Sequence, residues 1–240
     1  MVLTILAALL LSPAFAAPAP SVDDWVRAGF SEPDLREYDA SPASAQAGPG
    51  FTLSVVLLKD SGWTPDAAEK NLREVAEVFA QCGVRMRVRL AAVRAPEGRA
   101  GWKRRGDGPD SVLALHRAVP FLEGPVAFLV GRFPDDEEAA FSRARWRDGR
   151  DLQPELYDTV YITDEVLSAY SRAQFDLSPY TAGSYSVSAH ELLHVFTRLG
   201  GHLYLPERNL LNNWDIRSNL ILPRHCSAVR SSPLVSGGTP

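Results

Sequence analysis

Residues 188–203 read SAHELLHVFTRLGGHL, and three of the chain's five histidines, His190, His194 and His202, fall inside that stretch. On a helix, side chains four residues apart stand on one face, a turn from each other. His190 and His194 so placed can present two imidazoles to one divalent cation, at about 2.0–2.1 Å each for zinc. Glu191 lies beside that face, within reach of a water on such an ion, and suits the part of general base. The remaining ligand has to come from off the helix face. Gly200-Gly201 predict a left-handed stop, after which the chain can swing His202 back as third ligand, with Asp215 and Glu207 as substitutes. Tyr204 is the first choice for a donor to a developing oxyanion, and Tyr185, Tyr180 and Arg217 also lie nearby in sequence.

Such a site needs a rigid helix and a wall behind it. Leu192, Leu193, Val195, Phe196 and Leu199 supply apolar faces, and Ser186 or Ser188 can cap the start, the latter as a capping box with Glu191. Upstream, FTLSVVLL at 51–58 reads as a strand ending in a Lys-Asp-Ser-Gly turn. Thr64 then caps a helix with Pro65 in its first turn, and Ala68, Leu72, Val75, Ala76, Val78 and Phe79 form one stripe. Gly83 ends it, and 84–93 (VRMRVRLAAV) alternates as a strand with its arginines on one face. This β-α-β unit predicts two parallel strands. Further on, the pattern predicts a helix over 110–119, strands over 126–133 and 160–162, and a short helix over 165–172. Residues 134–156, acidic first and basic later, read as one surface helix. The basic run Lys103-Arg104-Arg105 reads as a solvated loop. The class implied is α+β with an α/β-like N-terminal part: a mixed sheet packed on helices, then an irregular C-terminal part.

The chain has 240 residues, 25 Lys+Arg and 29 Asp+Glu, for a net charge of −4. That balance argues against a general nucleic-acid binder, and two cysteines are too few for a thiolate-built zinc site. Residues 1–17 hold a ten-residue apolar run and then Ala14-Phe15-Ala16, the small-x-small pattern of signal-peptide cleavage. No later stretch is apolar enough for a membrane span. The expectation is a protein secreted or held in the periplasm or cell envelope, where Cys82 and Cys226 pair as a disulfide. The Ala/Pro/Gly/Ser-rich composition near 39–50 makes 18–50 a leader or linker, 51–230 the folded domain and 231–240 a tail. Oligomeric state is not legible.

HELLH, a Gly-containing turn and a further His, followed by Asn209-Leu210-Leu211-Asn212 and by Leu220-Ile221-Leu222-Pro223-Arg224-His225-Cys226, resembles the zincin metalloproteases, and the metzincin-like secreted bacterial zinc peptidases in particular. The resemblance covers about 185–228. It implies a twisted mixed sheet over a central active-site helix, a Zn2+ cofactor, a peptide or protein substrate, and a cleft beside an edge strand, here 160–163 or 126–133. Two positions depart from the family pattern: His202 comes two residues late, and Leu211 stands where a methionine is usual under the metal. Leucine is close to methionine in volume and suits the same packing role. The departures also admit a second reading, a metal-stabilised, catalytically inactive binding or structural protein. His116 and His225 lack partners at ligand spacing and stay outside the site.

Overall fold

The computed structural model describes residues 18–45, 47–96, 111–131, 140–143, 156–167, 186–199, 209–211 and 218–236. The β-α-β unit forms as its sequence requires. Strand β2 (Gly50–Leu58) leads to helix α2 (Pro65–Ala80), where Thr64 Oγ1 accepts from the Ala67 amide at 3.2 Å. The stripe from Ala68 to Phe79 is buried residue for residue. Gly83, at φ +66°, supplies the left-handed turn that a side chain would resist, and β3 (Arg85–Arg94) follows. Strands β2 and β3 are parallel, from Gly50 opposite Arg85 to Leu58 opposite Val93. Because side chains alternate, Met86, Val88, Leu90 and Ala92 of β3 go to the α2 side, and Ala91 and Val93 to the other.

Adding β1 (Ser31–Asp39), β4 (Val126–Val130), β5 (Ala140–Arg143) and β6 (Thr159–Thr163) gives, among the described residues, a six-stranded sheet of order β1-β3-β2-β4-β6-β5. Its four central strands are parallel, and β1 and β5 are antiparallel edges. This confirms the mixed sheet and corrects several expectations. First, 126–130 and 159–163 are interior strands, buried along their length, so neither is the edge beside a cleft. Second, 140–143 is a strand paired to β6 and no part of a surface helix; a ladder at a sheet edge overrides a helix-like charge order.

Third, 18–50 is built into the fold. Helix α1 (Val22–Arg27) has a capping box between Ser21 and Asp24, Trp25 and Phe30 are buried edge to face at 5.3 Å, and β1 pairs along β3. The linker-like composition is confined to the connection between β1 and β2, and buried Trp25, packed on Phe30, acts as an anchor. Similarly, the stretch expected as a tail from 231 returns to the sheet: Ser236 bridges Gly50 and Val235 is buried. Of the helix expected at 165–172, Asp164–Leu167 is a 3-10 turn, and the remainder lies outside the described residues, as does the Lys103 run.

Two apolar cores flank the sheet. One holds α2, helix α4 (Val187–Thr197) and helix α5 (Pro223–Arg230). The other holds Trp25, Phe30 and Leu115 of helix α3 (Ser111–Ala118). Cys82 and Cys226 form the expected disulfide, tying the end of α2 to α5 across 144 residues of sequence.

Candidate metal centre

Ser186, not Ser188, caps α4, its hydroxyl accepting from the Ala189 amide at 3.2 Å. Ser188 instead donates to Asn71 Oδ1 of α2 at 2.7 Å, a polar link between the two helices. Below them Phe196 packs on Phe51 and Phe79 with ring centroids at 4.7 and 5.3 Å, which fixes the helix against β2 and α2. The helix stops at Thr197, earlier than the glycines predicted. Arg198 takes the left-handed conformation at φ 54°, and Gly200-Gly201 lie outside the described residues.

That early turn has a chemical consequence. It brings the Leu199 carbonyl back to His194 Nδ1 at 2.5 Å, while the Leu210 carbonyl meets His190 Nδ1 at 2.5 Å. A carbonyl only accepts, so each Nδ1 carries the proton, and in a neutral ring the lone pair is then at Nε2. The two Nε2 atoms face each other at 3.1 Å, in rings 1% and 7% exposed as residues. Two lone pairs facing each other at that distance call for a shared cation, either a proton or a metal ion. Two Zn–N bonds at a tetrahedral angle place their nitrogens about 3.3 Å apart, so the pair fits one zinc ion. A backbone carbonyl accepting from Nδ1–H is a usual outer partner of a ligating histidine. Glu191 is beside them, its Oε1 3.9 Å from His190 Nε2, with its side chain 12% exposed.

The structure thus brings His190, His194 and Glu191 together. His202, Tyr204, Glu207, Asp215, Tyr180, Tyr185 and Arg217 lie outside the described residues, so the third ligand and the oxyanion donor are not placed. Leu211 is fully buried in the core beneath α4, as a packing role requires. His116 lies against Phe128, whose ring belongs to the opposite core, apart from the histidine pair. His225 is buried in α5, and burial, then the charge of Arg224, holds it below the ordinary imidazole range.

The carbonyls of Leu199 and Leu210 are the functional groups that sequence reasoning missed. Every residue has a carbonyl, so composition carries no sign of which one meets a ring. The only signal was Asn209, whose side chain favours the turn that exposes the next carbonyl.

No protein-family model matches the sequence, and no curated protein matches it. Among solved structures the chain is similar to archaemetzincin from Methanopyrus kandleri, at 16% identity and a TM-score of 0.46 over 79% of this chain and 96% of that one.

Proposed function

We propose that the chain is an exported zinc-dependent peptidase in which His190 and His194, joined by His202, hold the metal and Glu191 is the general base. The observation that carries this reading is the pair of Nε2 atoms at 3.1 Å, each ring committed at Nδ1 to a backbone carbonyl. Zinc bound there would supply a Lewis acid and would lower the pKa of a bound water towards about 7. Glu191 takes a proton at Oε1 from the attacking water and delivers it to the departing amine nitrogen. Leu192, Leu193 and Phe196, buried behind the histidines, keep the ligand geometry fixed and bulk water out.

A peptide substrate is supported by β5. It packs against α4, and its side away from β6 is an edge of the sheet among the described residues, where an extended chain can add as a strand. Export is supported by the Ala14-Phe15-Ala16 pattern and by a disulfide, which persists in oxidising compartments.

The test is zinc content by elemental analysis together with hydrolysis of a peptide library, for the wild type and Glu191→Gln. The reading expects one zinc in each protein and turnover lowered by roughly 10²–10⁴ in the variant. A wild type that takes up no zinc, or a variant that cleaves at the wild-type rate, overturns it.

A further inference from the structure

The carbonyl that aims His190 must itself be held in place. Leu210 sits in a turn closed by Asn209 Oδ1, which accepts from the Leu211 amide at 3.0 Å. The Leu210 amide donates to the Leu220 carbonyl at 2.8 Å, and the Ser218 amide to the Asn209 carbonyl at 3.3 Å. The turn therefore lies along 218–220 like a short ladder. The flank of that segment is gripped by one side chain at the end of α2: Gln81 Nε2 donates to the Asn219 carbonyl at 2.7 Å, and its Oε1 accepts from the Ile221 amide at 3.3 Å. Asn219 Oδ1 in turn accepts from the amide of Ser186, the cap of α4, at 2.7 Å. Beside Gln81, Cys82 is bonded to Cys226, and Arg230 donates to the Cys82 carbonyl at 3.2 Å. The start of the histidine helix, the ligand-orienting carbonyl and the end of α2 thus converge on three residues, 219–221.

We propose that Gln81 is a positioning residue of the histidine pair. By pinning 219–221 it keeps the Leu210 carbonyl on His190 Nδ1 and so keeps His190 Nε2 turned towards His194. Its consequence for metal affinity rests on the zinc reading above; its consequence for the ring does not. Gln81 is exposed, so replacing it removes two hydrogen bonds and no core packing. The closest conservative change is Gln81→Glu, which keeps the acceptor for Ile221 and loses the donor to Asn219.

The experiment compares the wild type, Gln81→Leu and Gln81→Glu by two readouts, with thermal unfolding of the metal-free proteins as a control on folding. The first is the histidine-ring ¹H–¹⁵N spectrum of metal-free protein, with the His190 Nδ1–H assigned by its loss in His190→Gln. That proton should exchange about tenfold faster in Gln81→Leu, with Gln81→Glu between it and the wild type. The second is zinc affinity by chelator competition, which should weaken about tenfold in Gln81→Leu and less in Gln81→Glu. A His190 ring signal that is absent from the wild type, or identical in all three proteins, overturns the proposal even if zinc binds. A ring that responds to Gln81 in a protein that takes up no zinc upholds the positioning role and overturns the zinc reading alone.

Discussion

On the histidine side of the sheet, helices from 65–80, 187–197 and 223–230 converge, and the links between them are specific and far apart in sequence. They are the Cys82–Cys226 bond, the grip of Gln81 on 219–221, the Ser188–Asn71 bond and the ring contacts of Phe196. On the other side, α1 covers the sheet next to the strand it immediately precedes, and Trp25, Leu35, Ala91, Phe121 and Leu122 line a cleft of about 140 Å³ with Arg89 in it. Phe121 is 77% exposed there. Two buried imidazoles with facing lone pairs tolerate no slack, because an ångström of drift would separate them or leave them unsatisfied. Among the described residues the opposite face carries no such pair, and its cleft leaves Phe121 exposed.

The largest expected contrast comes from one phenylalanine on each side. Phe196→Ala should lose about 3–5 kcal/mol of unfolding free energy, and Phe121→Ala about 0.5 or less, by denaturant titration. Equal losses would erase the distinction. Next, replacing both cysteines by alanine should cost about 2–4 kcal/mol, since the bond closes a loop of 144 residues and limits the unfolded chain. A smaller cost would mean that the helices hold each other without the covalent tie. Smaller still, Arg198→Gly should raise stability by up to about 1 kcal/mol, because the left-handed turn that returns the Leu199 carbonyl strains any side chain. A loss of stability there would show that the arginine side chain, rather than the turn, is what the site uses.

The smallest effect concerns pH. His225 is held below its ordinary range by burial first and by Arg224 second, so the folded state favours the neutral ring. Below the ordinary pKa of about 6.5 the unfolded chain binds a proton that the folded one does not. Its contribution is therefore complete above that pH and is lost as the pH falls towards the depressed folded value. The melting temperature should drop less steeply between about pH 7 and pH 5 in His225→Gln than in the wild type. Parallel slopes would remove His225 from the account.

Much of this was legible along the chain because it is local or periodic. The cap at Thr64, the buried stripe of α2, the alternation of β3 and the imidazoles at 190 and 194 all follow from spacings of two or about four residues. The pairing of Cys82 with Cys226 followed from there being two cysteines in a chain expected to be exported. The misplaced elements share a cause. Trp25 and Phe30 fall in a stretch that reads as a leader because the sheet that buries them begins at a strand, Ser31–Asp39, rich in charge. The sequence 140–143 looked helical because its partner, β6, comes later in the chain.

By itself the sequence determined which side chains could meet a cation and that a helix would bring two of them to one face. Only the tertiary structure decided which way those rings turn. That depends on backbone carbonyls, one five residues on and one twenty, and a carbonyl's position is set by where the chain folds back, not by the side chain of the residue that bears it.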